Sequence, residues 1–135
     1  MAELYSQRAA TLDHGPARLT LRVTQGDDLF ERVRLVSRHQ DPNGPPGAVI
    51  RVPIPITATV FDSAIYVKNT GVIVSSFDIE DDVDRDDTVL IKLPAGVTAT
   101  FTAGTYAYWI RSIDADSGRE ITLLQGPIEF LERPQ

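Results

Sequence analysis

The stretch "GTYAYWIRSIDADSGREITLLQGPIEF", residues 104–130, carries the strongest fold signal in the chain. Aromatic and aliphatic side chains alternate along its first half, an Asp-Ser-Gly turn follows at 116–118, and a second alternating run completes it. Period-two alternation on both sides of a turn is typical of two antiparallel strands. The stretch therefore predicts a β-hairpin in which Tyr106 and Tyr108 share one face and Trp109 lies on the other.

The same alternation recurs towards the amino terminus. Residues 18–24 ("RLTLRVT") and 29–37 ("LFERVRLVS") flank the turn "QGDD" and predict a pair of antiparallel strands. Further β-branched runs occupy 48–69, 72–79 and 88–94, and no stretch has a helical period. The predicted fold is all-β, an antiparallel β-sandwich of the immunoglobulin-like or jelly-roll-like kind with eight to ten short strands. Parallel pairing is disfavoured, and helix is expected only in the arm or as a single turn.

The chain length predicts a single domain, because 135 residues are enough for one hydrophobic core and too few for two. Residues 1–17 precede the first alternating run and are predicted to form an extended N-terminal arm, with the β-sandwich spanning 18–135. The proline-rich segment 38–47 is the clearest internal break and is expected to be an exposed loop. The acidic segment 80–87 is expected to connect two strands.

The charge balance argues against a nucleic-acid partner. Lysine and arginine number 13 against 19 aspartate and glutamate residues, so the formal net charge is −6 and the field repels phosphate backbones. The amino terminus has no continuous apolar run, so neither a signal peptide nor a membrane span is expected. The chain has no cysteine, which excludes disulfides and thiolate metal sites.

Residues suited to catalysis are scarce. His14 lies in the arm and His39 in the proline-rich segment, and neither position holds a catalytic base rigidly. The chain has no G-x-S-x-G elbow and no phosphate-binding glycine loop, and its carboxylates lie in turns without the apolar wall that a glycosidase acid needs. We expect a protein that is not an enzyme and that carries no cofactor.

An acidic run offers a weak calcium candidate. Its carboxylates recur at every second position, as the early ligands of a calcium loop do, at Asp78, Glu80, Asp82 and Asp84. An EF-hand needs glycine and glutamate where this chain has Val83 and Val89. The alternative is a solvated, self-repelling turn that keeps a sheet edge from pairing wrongly.

The aromatic residues of the hairpin also allow two interpretations. Tyr106, Tyr108 and Trp109 could form a platform for a sugar ring. Alternatively, the two tyrosines pack inward or against a partner, with their hydroxyls bound to backbone carbonyls at the sheet rim, and the rings serve the core or a contact between subunits. The pattern favours the second interpretation.

Two segments of the chain resemble a β-sandwich family of tailed bacteriophages, similar to the N-terminal domain of baseplate upper proteins and to small capsid or tail accessory proteins. They are "LTLRVTQGDDLFERVRLV" at 19–36 and "LPAGVTATFTAGTYAYWIRSIDADSGREITLLQGPIEFLERP" at 93–134. The family pattern matches Gln25, Gly26, Asp27, Gly104, Thr105, Tyr106, Tyr108, Asp116, Ser117, Gly118, Leu123, Leu124 and Gly126. The resemblance implies structural rather than catalytic roles for these positions, and we add Trp109 as an assembly residue.

The resemblance implies a non-enzymatic virion protein that is made in the host cytoplasm. Its expected role is capsid decoration or minor capsid protein, with a tail or baseplate position as the other placement. Expected partners are the major capsid or tail protein and further copies of the chain, with a trimer suggested by the threefold sites of capsid lattices. The rival function is a carbohydrate-binding or host-adhesion module.

Overall fold

The computed structural model describes residues 7–11, 16–53, 59–82, 85–114 and 116–134. These residues form eleven strands and one short helix. The first six strands are β1 (Gln7–Thr11), β2 (Ala17–Arg18), β3 (Leu21–Thr24), β4 (Leu29–Gln40), β5 (Val49–Pro53) and β6 (Thr59–Tyr66). The others are β7 (Ile73–Ser75), β8 (Asp78–Asp82), β9 (Arg85–Leu93), β10 (Gly104–Asp114) and β11 (Glu120–Leu131), with helix α1 (Ala95–Thr98) before β10.

The strands form two sheets that pack face to face, as the sequence predicted for a β-sandwich. Sheet A has the order β1-β4-β9-β8, with β5 on the second half of β4. Sheet B has the order β2-β11-β10-β6-β7, with β3 also on β11. Alternate side chains of both sheets point inward and form one apolar core, which includes the fully buried Val33, Ile91, Ile110 and Ile128.

The predicted hairpin is confirmed and lies in the middle of sheet B. β10 and β11 pair antiparallel from Gly104 opposite Phe130 to Ile113 opposite Glu120, with a register shift after Ile110. Both strands have further neighbours, so the hairpin is the centre of the sheet and not its edge.

The predicted pairing of the first two alternating runs is wrong. β3 joins sheet B beside β11, whereas β4 joins sheet A, so the turn at 25–28 carries the chain from one sheet to the other. The alternating pattern identifies a strand with one buried face, but two strands facing each other across a core show the same pattern as two strands in one sheet.

Parallel pairs occur at the margins of both sheets, although the sequence disfavoured them. β1 is parallel to β4, and β2 and β3 are parallel to β11. The parallel pairing of β2 and β3 with β11 needs no crossover helix, because the many strands that lie between β3 and β11 in the chain make the connection.

Three segments differ from their predicted extents. Residues Gln7–Thr11 of the predicted arm form strand β1 on the sheet of their own chain. β4 continues to Gln40, so the proline-rich loop is confined to 41–48. Most of the acidic segment is strand, since its ends belong to β8 and β9.

Candidate interaction surface

The outward side of sheet B carries a row of apolar side chains that crosses four strands. Ile73 of β7 lies opposite Tyr66 of β6, Tyr66 opposite Ala107 of β10, and Ala107 opposite Pro127 of β11. Tyr66, Ala107 and Pro127 each adjoin a fully buried residue of their own strand. Because successive side chains of a strand point to opposite faces of the sheet, the row faces away from the core. We call these four residues the outer row.

Trp109 extends this apolar surface on the same outward face. It lies between the fully buried Tyr108 and Ile110, so its ring points away from the core, as the sequence predicted. The guanidinium of Arg111 stacks over the Trp109 ring, with its carbon 4.0 Å from the ring centroid. This cation–π contact holds one positive charge against the outer face of the sheet.

A shallow groove of about 290 Å³ lies along the outer row. The small side chain of Ala107 forms its floor, and Arg18, Tyr66, Lys68 and Pro127 stand around it. No acidic residue lines the groove, and within the described part of the chain neither Arg18 nor Lys68 has an ion-pair partner. The groove is therefore a locally positive, partly apolar site on a chain of net charge −6.

The outer row ends at the edge strand β7. Val72, Ile73 and Val74 are 57%, 63% and 46% exposed, which is unusual for three consecutive β-branched residues. The inner side of this edge borders a second groove, formed with Phe101 and Tyr106. The edge strand and the outer row together form one continuous surface with exposed apolar groups.

A buried tyrosine holds the opposite margin of sheet B in place. The Tyr108 hydroxyl donates a 2.6 Å hydrogen bond to the Leu19 carbonyl, and burial raises the pKa of this phenol. Gly126 has a φ of 153°, and a Cβ there would lie 2.6 Å from the same carbonyl oxygen. The segment between β2 and β3 thus depends on a tyrosine donor and on the missing side chain at 126 for its close approach to β11.

Both tyrosines point toward the core, as predicted, but among the described residues only the Tyr108 hydroxyl binds a backbone carbonyl. Tyr106 packs edge-on against Phe101 and Phe130 in the core, at centroid distances of 5.2 and 5.5 Å. Trp109 is on the other side of the sheet. The three rings that a sugar platform would need therefore do not share a face, and the less favoured of the two interpretations does not hold.

Gln25, Gly26 and Asp27, which carried the resemblance, form a clamp to helix α1. The Gln25 side chain donates to the Phe101 carbonyl at 2.7 Å, and the Gly26 N–H donates to the Thr98 hydroxyl at 3.1 Å. That hydroxyl in turn donates to the Asp27 carbonyl at 2.7 Å. Gly26 has a φ of 83°, which favours glycine at this turn.

Gly104 and Gly118, predicted as structural glycines, also have positive φ values of 147° and 71°. Gly118 closes the β10–β11 turn, where the Asp114 carboxylate accepts N–H bonds from Asp116 and Ser117 at 2.8 and 3.3 Å. These bonds hold the pKa of Asp114 below its ordinary value.

The acidic run lies on the edge of sheet A, where two of its carboxylates bind cationic side chains. Glu80 contacts the Lys92 ammonium at 2.9 Å, and the buried Asp82 is paired with Arg32. Asp84 lies outside the described residues. No group of three or more potential metal ligands occurs within the described ranges.

Sequence reasoning did not single out Tyr66, Lys68 or Ile73. The available signal was the run "VIV" at 72–74. Its residues are apolar on both faces of the strand, so neither face has the polar side chains that normally contact solvent. The two histidines considered for catalysis remain untested, because His14 lies outside the described residues and the His39 side chain is not described. None of the helices in the described residues is long and apolar enough to cross a membrane.

Comparison with known proteins gives likenesses of structure only. No family model and no curated protein matches the sequence. The chain is similar to the N-terminal domain of phage TP901-1 ORF48, with a TM-score of 0.48 and 12% identity over 95% of this chain and 98% of that one. It is also similar to the cysteine protease inhibitor EhICP2 from Entamoeba histolytica, with a TM-score of 0.36 and 12% identity over 94% and 97% of the two chains.

Proposed function

We propose that this chain is a non-enzymatic structural protein of a tailed-phage virion and that it works by binding other virion proteins. The observation that carries the proposal is the outer row with its exposed edge strand, since Ile73 is 63% exposed at the end of an apolar row crossing sheet B. Apolar surface of this kind is typical of sites of contact between proteins. The resemblance of 19–36 and 93–134 to the phage family supplies the virion context.

The groove beside the outer row favours an acidic segment of a capsid or tail protein as the bound partner. Arg18 and Lys68 supply two positive charges that have no ion-pair partner among the described residues, and Tyr66 and Pro127 supply apolar contact area. A partner segment that bears a carboxylate next to an apolar side chain would match both features. Of the two placements, we propose capsid decoration or minor capsid protein ahead of a tail or baseplate position.

A sugar-binding function is not proposed, because the rings that a platform would need lie on opposite sides of sheet B. The proposed function is tested by labelling particles produced by the genome that encodes the chain. An antibody against the chain should decorate purified particles at regular positions in electron micrographs. Absence of the chain from purified particles, by labelling and by mass spectrometry, would overturn the virion role.

A further inference from the structure

The edge strand β7 differs from the corresponding edge of sheet A. The β8 edge of sheet A carries the exposed carboxylates of Asp78 and Glu80, and charges along an edge oppose the addition of another strand. The sheet B edge has no charged residue between Lys68 and Asp78. The β8 edge of sheet A is therefore protected against strand addition, whereas the β7 edge of sheet B is apolar and can accept a strand.

We propose that β7 pairs antiparallel with β7 of a second copy of this chain, across a twofold axis at Ile73. In this register Ile73 lies opposite Ile73 of the second copy, and Val72 lies opposite Val74 of the second copy on both sides of the axis. Beyond them Gly71 faces Ser75, so each position meets an apolar or small neutral residue. Cross-strand pairs of β-branched side chains stabilise antiparallel sheets, and a twofold contact requires this kind of self-complementarity.

Charge also favours edge pairing over the other way in which two copies could bury this surface. Pairing of the β7 strands brings no like charges together, because no charged residue lies between Lys68 and Asp78. Face-to-face stacking of the two outer rows is disfavoured, because it would bring Arg18 and Lys68 of both copies together.

This inference deepens the proposed function, and it rests on that function only in taking the apolar surface as a protein contact. The paired copies would form one continuous sheet in which the two outer rows become a single belt. The groove of each copy stays open on the outward face of that sheet. A dimer would therefore present two identical grooves to the acidic partner.

The chain has no cysteine, so single thiols test the register directly. Opposite residues in an antiparallel pair have Cα atoms about 4.5–5.5 Å apart, within the range that a disulfide spans. Ile73→Cys should form a disulfide dimer under mild oxidation at least about tenfold faster than Ile121→Cys, because pairing holds the thiols at high effective concentration. Ile121 is a matched control, since it is 47% exposed but lies in β11 away from this edge.

A second thiol experiment fixes the register. Val72→Cys and Val74→Cys should each crosslink poorly alone, because each would lie diagonal to its own copy in the second chain, about 7–8 Å away. An equimolar mixture of the two variants should form the mixed disulfide readily. Equal crosslinking of Ile73→Cys and Ile121→Cys, or a mixed pair no faster than its components, would overturn the proposal.

The unmodified chain gives an independent measurement. Sedimentation equilibrium at loading concentrations up to about 1 mM detects dimers as weak as a millimolar Kd, and the mass should rise towards twice the 14.9 kDa of one chain. Ile73→Lys should remain at the monomer mass, whereas Ile121→Lys should behave as the unmodified chain. A monomer at all concentrations, or a dimer or trimer that Ile73→Lys leaves intact, would overturn self-pairing. Particle labelling is a separate readout, so failure of the virion role and failure of the dimer are distinguishable.

Discussion

The Tyr108 hydroxyl donates a 2.6 Å hydrogen bond to the Leu19 carbonyl between the two sheets of the sandwich. The bond joins the central strand β10 to the segment between β2 and β3, which lies alongside β11. Arg8 of β1 donates to the neighbouring Thr20 carbonyl at 2.7 Å and has the Glu31 carboxylate 3.9 Å away. The buried Tyr108 and the partly buried Arg8 therefore satisfy two successive backbone carbonyls, those of Leu19 and Thr20, where the chain passes from β2 to β3.

Removing the Tyr108 hydroxyl should destabilise the fold. Tyr108→Phe leaves the buried Leu19 carbonyl without its donor, which we expect to lower the free energy of unfolding by about 1–3 kcal/mol. Urea unfolding measures the difference. Tyr106→Phe is the control, because within the described residues the Tyr106 hydroxyl has no hydrogen-bond partner. Equal losses in the two variants would contradict this account of Tyr108.

Gly126 should tolerate no side chain. Gly126→Ala would place a methyl group 2.6 Å from the Leu19 oxygen at a φ of 153°, so both crowding and backbone strain act against it. We expect a loss of about 2–4 kcal/mol in the free energy of unfolding. Gly96→Ala is the matched control, since no atom lies within 4 Å of the added Cβ. Similar midpoints for the two variants in thermal unfolding would contradict this prediction, because they would show that β11 and the Leu19 backbone move apart at little cost.

The β-sandwich could be predicted from the sequence because half-buried strands have period-two alternation, as at Tyr106, Tyr108 and Ile110. The assignment of strands to sheets could not. Leu21 and Leu29 both point into the core from alternating runs, but they lie in different sheets because the clamp from Gln25 to Phe101 directs the chain across the sandwich end. That clamp joins two residues that are 76 positions apart in the chain, and a local sequence pattern carries no signal for such a contact.

The candidate surface was predictable only in part. The outward position of Trp109 follows from alternation, but the outer row depends on the register that places Tyr66 beside Ala107 and Ile73 beside Tyr66. Cross-strand register is set by distant pairing and by the shift between Ile65 and Tyr66, neither of which can be read from one strand. The exposed run 72–74 was visible as an apolar segment, but its place at an edge was not.

Deleting residues 1–16 should destabilise the domain itself. The deletion removes β1, with the buried Ala10 and the contacts of Arg8 to Thr20 and Glu31. We expect the free energy of unfolding to fall by about 2 kcal/mol or more, because the Thr20 carbonyl loses its donor and core residues gain exposure to water. Denaturant unfolding of the deleted and complete chains measures this. An unchanged midpoint would mean that this segment contributes little to the fold and would favour an arm available to neighbours.

Reversing the charge of the groove should weaken binding to particles. Arg18→Glu combined with Lys68→Glu replaces two cations that no described carboxylate pairs with, and we expect at least about a tenfold increase in Kd for particles that lack the chain. Arg119→Glu is a suitable control, because Arg119 is exposed in the β10–β11 turn and does not line the groove. Cosedimentation of purified chain with such particles gives the affinity. If the double variant binds as tightly as the control, the groove is not the site of the acidic partner.

The β10–β11 turn should contribute stability that disappears in acid. The Asp116 and Ser117 N–H groups bind the Asp114 carboxylate and hold the pKa of Asp114 below its ordinary value, so the ionised form favours the folded state. This contribution is complete above the unfolded pKa of about 3.9 and is lost as the pH falls through the lower folded value. Asp114→Asn should therefore be less stable than the unmodified chain at pH 6, and the difference should shrink towards pH 2. Asp116→Asn, which keeps the Asp114 carboxylate, should show no comparable change with pH, and a constant difference for Asp114→Asn across this range would contradict the electrostatic account of the turn.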